Sequence, residues 1–466
     1  MSLLAIGAQD IYLTIDPQMS YFKQVYQRPT NFGMQSVRTT FNNEPTIGIS
    51  SGSFTCKIGR YGDLLKDITL QLTLPAIYSN DTYRFRWTTN MQYYMLDEYD
   101  IILGNSKIDT RYGEWLDIWN ELSLPTDKKQ AFNNLIGNTQ NYMNPTNLSP
   151  IVIIQNNKIS FSYYPSSGPS NPSLPEKTIL IPLDFWFCKN PALALPLIAL
   201  QYQDINVNIK FNSIERLYQV YDSTSGLYVS PTTYNSLHGT NINIGTFTRY
   251  NGGGTTSVPL NAYLDINYIY LDTPERTYIA QMSTIQLLVE QVRRNELGGG
   301  NTANSIKNLI LNNPIKELVW VLRRQDALYY NDWANYTASQ PQDITAPILK
   351  TAKFIWNGLD RLEFKDGAYY NLLQPYMYHT STPRQGIYVY SFALYPEKVQ
   401  PSGSFNATTV TNIQIQLTTN DFTPSTNTLI NSYSSGDSSY GLTVYSVGYN
   451  VFKIIGGTGG MTYAVQ

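Results

Sequence analysis

The sequence predicts an all-β protein built from two antiparallel β-sandwiches. Three observations support this prediction: apolar and polar residues alternate in short segments along the chain, helical patterns are few, and a long polar stretch divides the chain into halves of similar size. The length of 466 residues corresponds to about three average domains, but a single β-sandwich commonly reaches ~200 residues. Two large β domains therefore fit the chain.

Strict alternation of apolar and polar residues predicts four strands that each bury one face. The pattern is typical of antiparallel sheets that cover a core on one side, because central parallel strands are apolar on both faces. We therefore expect one sandwich architecture to be used twice. The four segments are 68–74, 205–211, 263–268 and 413–418.

The clearest helical pattern lies at 110–122. Trp115, Ile118, Trp119 and Leu122 are spaced i, i+3, i+4 and i+7, so they form one apolar stripe. We expect this helix to pack on its own domain and to order a long loop.

Two shorter helices are predicted as well. One covers 274–282, where Pro274 can occupy the first turn and Glu275 complements the helix dipole. The other covers 17–26, where Phe22 and its neighbours could form one apolar side.

Polar stretches rich in Gly and Pro indicate how the chain divides. The stretch 221–258 carries Ser, Thr, Asn and three consecutive glycines, and we interpret it as the domain junction. The stretches 164–175 and 334–347 predict long surface loops. No short period repeats, so a solenoid or propeller is not expected. The predicted divisions are an N-terminal arm at 1–32, a first sandwich at 33–220, a linker and long loop at 221–258, and a second sandwich at 259–466.

The composition limits the partners of this chain. The net charge is −2. No basic excess is present, so we expect no direct contact with nucleic acid, and no Lys/Arg run indicates a lipid-binding surface. Charged residues make up only 14%, whereas Tyr occurs 38 times. A neutral, Tyr-rich surface suits broad protein contacts, because such groups lose their water more cheaply than charges do. The alternative remains that Tyr and Thr are simply good strand residues.

Targeting signals and disulfides are not expected. The first ten residues lack the charged and apolar regions of a signal peptide, and the apolar stretch 191–200 is too short to span a bilayer. Cys56 and Cys188 are isolated, so they predict no disulfide framework, which suits a reducing compartment. We expect a soluble protein that is not secreted by the standard route.

Catalytic chemistry has few candidates in this sequence. His238 lies in the polar junction and is expected to be a solvated loop residue. His379 has Ser and Thr neighbours, but catalytic triads assemble from distant segments, so we expect a hydrogen-bonded structural histidine. Asp97, Glu98 and Asp100 could pair as in a β-sandwich glycosidase, although such clusters arise by chance among 34 acidic residues.

Metal, nucleotide and glycan motifs are weak. No zinc-ligand spacing or phosphate-binding loop occurs, and the glycine runs indicate flexible turns. We therefore predict no catalytic, cofactor-binding or metal-binding residues, and no cofactor. Four N-x-[ST] sequons are interpreted as chance matches, and they begin at Asn80, Asn147, Asn335 and Asn406.

Specific sequence blocks occur in order along nearly the whole chain. They are GAQDIYLT at 7–14, FKQVY at 22–26, TNF at 30–32, YGEW at 112–115, IWNEL at 118–122, ALPLIALQY at 194–202, YIYLD at 268–272, PIKELVWV at 314–321, QPY at 374–376, GIYVYSFAL at 386–394, QPSGS at 400–404, YNV at 449–451 and GGMTY at 459–463. Together these blocks closely resemble the major capsid proteins of nucleocytoplasmic large DNA viruses.

The resemblance implies a double jelly roll, that is, two tandem eight-stranded antiparallel jelly-roll β-sandwiches with a few short helices in loops. It further implies a homotrimeric, pseudo-hexagonal capsomer that tiles the icosahedral outer shell of a virion, over an inner membrane and without catalysis. The expected partners are other copies of the chain, minor capsid proteins and a penton protein, with assembly in the host cytoplasm.

Several expectations and alternatives accompany this resemblance. The arm at 1–32 is expected at the inner side of the capsomer, facing minor proteins or membrane, and the loops 164–175 and 334–347 at its outer top. A minor capsid protein or assembly scaffold of the same fold is one alternative. A glycan-binding or glycoside-hydrolysing β-sandwich is an alternative of a different class.

Overall fold

The fold was analysed in a computed structural model of the chain. The structure describes residues 7–79, 82–143, 151–155, 158–162, 172–248, 256–300, 304–338, 346–420 and 440–463.

The first sandwich consists of two four-stranded antiparallel sheets. One sheet has the order β1-β8-β3-β6 and the other has the order β2-β7-β4-β5. The strands are β1 Phe32–Thr40, β2 Gly52–Lys57, β3 Leu64–Leu74, β4 Leu96–Leu103, β5 Ser106–Tyr112, β6 Lys177–Pro182, β7 Ile205–Phe211 and β8 Asn261–Leu271.

The second sandwich repeats this topology. Its sheets have the orders β9-β16-β11-β14 and β10-β15-β12-β13, which are the orders of the first sandwich with eight added to each strand number. The predicted pair of eight-stranded jelly rolls is thus confirmed. The strands are β9 Thr284–Gly300, β10 Asn304–Leu309, β11 Pro314–Arg324, β12 Leu349–Trp356, β13 Leu359–Asp360, β14 Ile387–Ser391, β15 Ile413–Thr419 and β16 Tyr440–Ile455.

Short strands extend these sheets or pair in the loops. They are Thr46–Ile47 with Val258–Pro259, Phe85–Trp87 with Tyr218–Asp222 and Leu227–Val229, Ile151–Gln155 with Lys158–Ser162, and the additions Leu195–Pro196 on β3, Lys365–Asp366 on β12, Phe405–Asn406 on β11 and Thr458–Met461 on β16.

All four predicted strands are present, but one belongs to the other sandwich. Strand β8 was assigned to the second sandwich, which was expected to begin at 259. It pairs instead with β1, where Val37 faces Ile266, and with β3, where Leu70 faces Leu264. That boundary is therefore wrong, because the last strand of a jelly roll returns to lie beside the first. The chain passes to the second sandwich through helix α9, Thr273–Gln281.

Most helices are short and lie in loops. Helix α9 confirms the prediction at 274–282, and its cap is Asp272, whose side chain accepts a hydrogen bond from the Thr273 amide. The helix predicted at 17–26 is absent. The other α-helices are α1 Ile11–Thr14, α2 Met91–Tyr94, α3 Gly113–Ser123, α4 Thr126–Ile136, α5 Gln140–Met143, α6 Trp186–Lys189, α7 Pro231–His238, α8 Gly245–Thr248, α10 Ala327–Tyr330 and α11 Gln374–Tyr378.

Tighter and wider helical turns complete the described structure. A π-helical turn, Tyr369–Leu373, precedes α11, and 3-10 turns occupy Pro191–Leu193, Leu197–Ala199, Ile214–Arg216 and Ala407–Thr409. Among the described residues, no helix is long and apolar enough to cross a membrane.

Strand β11 is buried on both faces. One face, which includes Trp320, packs into the core of the second sandwich, and the other, which includes Val319 and Val321, packs into a separate cluster. This second cluster lies outside the sandwich and joins the two halves of the chain.

Candidate functional site: the joint between the two sandwiches

Helix α3 begins directly after β5 of the first sandwich and packs on the second. Its apolar stripe faces strands of the sheet β9-β16-β11-β14, so the expectation that this stripe packs on its own domain is wrong. Among the described residues of the helix, only Leu116, on another side, packs into the core of the first sandwich. Periodicity identified the buried side chains correctly but could not identify the surface that covers them. The cluster comprises Trp115, Ile118, Trp119 and Leu122 with Val292, Val319, Val321, Tyr336, Ile387, Val389, Tyr445 and Val447.

The start of α3 requires a glycine. A Cβ atom on Gly113 would lie 2.0 Å from the Tyr93 carbonyl oxygen and 2.2 Å from that of Leu96. Both neighbours are backbone atoms and cannot rotate away. Gly113 therefore lets the chain leave β5 close to the backbone of the first sandwich and turn onto the second.

Two tryptophans form the centre of the joint. Trp115 is fully buried, and its ring stacks on Trp119 at a centroid distance of 5.5 Å and lies 5.3 Å from the ring of Tyr445. Burial of aromatic rings of this size is a major stabilising contribution at an interface.

Glu114 connects α3 to three side chains of the second sandwich. Its Oε1 accepts hydrogen bonds from the Arg323 guanidinium and from the Tyr336 hydroxyl at 2.7 Å, and its Oε2 accepts one from Tyr445 at 2.8 Å. The Tyr94 hydroxyl lies 2.9 Å from that of Tyr336. Burial would raise the pKa of Glu114, but Arg323 and the two hydroxyl donors outweigh it, and the pKa lies below its usual value. Glu114 is therefore a largely buried, ionised carboxylate whose two oxygens both accept hydrogen bonds.

Asp117, one turn further along α3, makes a second charged contact. It accepts hydrogen bonds from both Nη atoms of Arg384, which follows α11 in the second half, and the Nη1 distance is 3.1 Å. On its own side it accepts hydrogen bonds from Asn90 Nδ2 at 2.8 Å and from the Tyr94 hydroxyl at 3.1 Å. A bidentate arginine contact fixes orientation as well as distance.

A third contact places one carboxylate between two lysines. Glu290 on β9 pairs with Lys189 of α6, at 3.0 Å, and with the fully buried Lys316 of β11. Burial opposes ionisation of Glu290, but the two ammonium groups lower its pKa to about 2. Lys189 belongs to the first half of the chain, so this pair also crosses the joint.

The side chain of His379 is buried against helix α3. Its Nδ1 lies 3.1 Å from Glu397 Oε1, its Nε2 lies 3.2 Å from Glu317 Oε2, and its ring meets Trp119 edge-on. Burial alone would lower the pKa of His379, but the two glutamates raise it to about 9. The expected structural, hydrogen-bonded histidine is confirmed, and the protonated imidazole supports the joint rather than pairing with its Ser and Thr neighbours.

The other titratable candidates have structural partners. His238 is exposed, as expected, but it is the last residue of helix α7 rather than a loop residue, and it lies 3.0 Å from Asp222. Asp97 pairs with Lys210 and Asp100 with Lys107, each at 2.7 Å, and Lys107 also lies 3.9 Å from Glu98. In the described part of the chain no group of three or more His, Cys, Asp or Glu side chains could hold a metal ion.

The cysteines are separate thiols, and burial raises the pKa of Cys56 to about 11. Of the sequons, Asn80 and Asn147 lie outside the described residues. The side chain of Asn335 is engaged with Asp332 and Thr337, whereas exposed Asn406 caps a 3-10 turn.

The N-terminal arm is exposed, whereas the joint is buried. Residues 7–31 are exposed except Asp10, and the hydrogen bonds recorded for them stay within the segment. Its exposed large apolar side chains are Ile11, Tyr12, Leu13, Ile15, Met19, Tyr21, Phe22, Val25 and Tyr26.

Sequence reasoning did not identify the charged residues of the joint. One signal was present in β11, where Lys316 and Glu317 interrupt a run that is otherwise apolar. Charges inside an apolar strand indicate buried pairs. No comparable signal marked Glu114, Arg323 or Arg384, whose partners are distant in sequence.

Comparisons with known proteins agree with this division of the chain. Residues 20–272 match the family model for the major capsid protein N-terminus, and residues 275–460 match the model for the large eukaryotic DNA virus major capsid protein. The two matches meet within α9, where the chain passes between the sandwiches.

Individual relatives cover the chain from end to end. The major capsid protein of Phaeocystis pouchetii virus is 30% identical over 553 residues, covering 100% of this chain and 99% of the relative. That of Pyramimonas orientalis virus is 31% identical over 487 residues, covering 100% and 98%. A quasi-atomic model of the PBCV-1 virus capsid aligns with a TM-score of 0.68 and 25% identity, covering 96% of this chain and 100% of that one. The chain therefore belongs to the major capsid protein family of large eukaryotic DNA viruses.

Proposed function

We propose that three copies of this chain close into a capsomer of nearly hexagonal outline, which tiles the outer shell of the virion. The observation that carries the proposal is the repeated topology, in which one chain supplies two sandwiches of the same strand order. Three chains then place six similar walls around one three-fold axis, and cyclic closure needs only one pair of patches, used three times.

The joint gives this geometry its stiffness. If the sandwiches swung relative to each other, six walls would not keep one outline. Helix α3, with its buried tryptophans and the Glu114 and Asp117 contacts, ties the first sandwich to the sheet of the second. The chain thus acts as one building block.

Contacts within and between capsomers differ in strength under this proposal. The interface within a trimer is expected to be permanent and to bury more than about 2,000 Å². Contacts between trimers are expected to be weak individually and to add up over many neighbours, since errors in a lattice must be able to anneal. The low charge of the chain, 14% of residues, limits repulsion in such an array.

The role proposed for the chain is structural and involves no catalysis. Its further partners would be minor capsid proteins and a penton protein, at the inner side of a shell that lies over a membrane and is assembled in the host cytoplasm. The exposed apolar arm supports contacts of this kind, because such side chains favour burial against a partner. Trypsin should cleave after Lys23 in the free capsomer, and protection there would argue against an unoccupied arm.

The loops 164–175 and 334–347 are proposed to lie at the outer top of the capsomer. Most of the first loop, and 339–345 of the second, fall outside the described residues. The described start of the second loop contributes to the joint, since Tyr336 is fully buried against Glu114. Antibodies against residues 339–345 should bind intact particles, and failure to bind would contradict this orientation.

The native mass of the purified full chain tests the capsomer proposal. A species of three times 52.9 kDa is expected in sedimentation equilibrium, with and without reducing agent. A stable monomer would contradict the proposal.

A further inference from the structure

A pocket of about 420 Å³ lies where loops of the two sandwiches meet. One side comes from 212–260, which connects β7 to β8, and the other from 325–348, which connects β11 to β12. Its volume falls within the range of about 300–1,000 Å³ that is typical of small-molecule sites. The second of these loops includes the segment 334–347. None of the described residues that line the pocket belongs to the apolar cluster at the joint.

Arg216 is the main charged group of this pocket. Its guanidinium carbon lies 4.1 Å from the ring centroid of Trp333, and the Trp333 indole N–H donates a hydrogen bond to the Arg216 carbonyl at 2.8 Å. Trp333 itself is only 4% exposed, whereas Arg216 is exposed. The exposed arginine therefore rests on a buried aromatic ring at the wall of the pocket.

The charge of Arg216 is not neutralised within the described part of the chain. No carboxylate there lies within 4.0 Å of its guanidinium, although Arg323, on the same tryptophan, is paired with Glu114. Although the side chain reaches solvent, partial desolvation, followed by the charge of Arg323, lowers the pKa of Arg216. An anion at Arg216 would offset the repulsion from Arg323 by its own attraction, and the planar fork of an arginine suits a carboxylate in particular.

Hydroxyl-binding groups and apolar side chains complete the pocket. The Glu215 carboxylate takes part in one long hydrogen bond, from Thr232 at 3.4 Å, and so retains acceptor capacity for a ligand. Leu328, 53% exposed, and Tyr329 offer apolar surface beside it. A sugar ring presents both features that these groups match, namely several hydroxyl groups and an apolar C–H face.

We propose that this pocket binds an acidic sugar, with the carboxylate of the ligand on Arg216 and its ring hydroxyls on Glu215. The proposal goes beyond the capsomer function, because it concerns the loop end of one chain and needs no second copy. If the loop containing 334–347 faces outward in the shell, the pocket is open to glycans outside the particle.

Saturation-transfer NMR on the purified full chain tests this proposal, with D-glucuronate as the probe and D-glucose as its neutral counterpart. We expect saturation transfer to glucuronate and at least tenfold weaker binding of glucose. Arg216→Gln should weaken glucuronate binding roughly tenfold or more, since a charged hydrogen-bond partner is lost. Glu215→Gln should weaken the binding of both sugars.

Arg361→Gln is a matched control, because Arg361 is another exposed arginine beside a tryptophan, 5.2 Å from the ring of Trp356 and outside the pocket. It should bind glucuronate like the unmodified chain. Circular dichroism would establish that each variant is folded. Absence of saturation transfer at millimolar glucuronate, equal binding of the two sugars, or equal binding by folded Arg216→Gln would each overturn the proposal.

Discussion

The joint buries its side chains, whereas the N-terminal arm exposes them. At the joint, Asp117 is buried and Glu114 is largely buried, each has an arginine partner, and Trp115 is fully buried. Along the arm, apolar side chains are exposed, and Phe22 is as exposed as in an extended peptide, at 101%. The difference teaches that the contacts of the joint are made within one chain, whereas the described residues leave the apolar side chains of the arm uncovered.

The largest effect is expected from Trp115→Ala. Removing a fully buried indole should lower the free energy of unfolding by about 3–5 kcal/mol. Because the ring joins the two sandwiches, calorimetry should also show unfolding divided into two transitions. Trp356→Ala is the control, since its ring stacks on Phe405 within the second sandwich, and it should not divide the transition. A single, unshifted transition for Trp115→Ala would mean that the joint does not couple the sandwiches.

Glu114→Ala should have an effect of similar or slightly smaller size. It leaves Arg323 without its carboxylate partner in a largely buried site. Breaking such a pair should lower the free energy of unfolding, measured with urea, by about 3–5 kcal/mol. Asp265→Ala is the matched control, because it removes an exposed pair with Arg38, which is expected to contribute less than about 1 kcal/mol. Equal losses for the two variants would show that the Glu114 network is unimportant.

The pH dependence of unfolding tests the buried histidine. The pKa of His379 is raised to about 9 in the folded chain, from 6.5. Protonation therefore stabilises the folded state fully below about pH 6.5, and this stability is lost as the pH rises through 9, by roughly 3 kcal/mol. His379→Gln should remove this decline. The same decline in the variant would assign it to other groups.

The smallest effect on stability is expected in the arm. Phe22→Ser should change the free energy of unfolding by less than about 0.5 kcal/mol, since the ring is fully exposed among the described residues. Incorporation of the variant into particles should nevertheless fall, measured as its share of the shell when both forms are expressed together. A large loss of stability with normal incorporation would contradict this prediction, because Phe22 would then stabilise the folded chain and not its assembly.

The strands were predictable because alternation reports directly on one buried face. Strand β8 was nevertheless placed in the wrong sandwich, because its partner β1 lies more than 200 residues earlier and a long loop precedes it. Alternation shows that a segment is a strand but does not identify its neighbours.

The helices show a similar limit. The stripe of α3 was predicted, but the sheet that covers it was not. The helix predicted at 17–26 is absent. The segment is exposed throughout and no described residue covers it, and an isolated helix of this length is marginal in water. The charged partners of the joint come together only through the tertiary fold, as with Glu114 and Tyr445.

Three-dimensional averaging of the purified assembly by electron cryo-microscopy tests the central claim most directly. The account predicts a three-fold particle with six similar walls, in which the two sandwiches of each chain keep the mutual orientation fixed by α3. An assembly of another order, or sandwiches that vary in orientation from particle to particle, would contradict it.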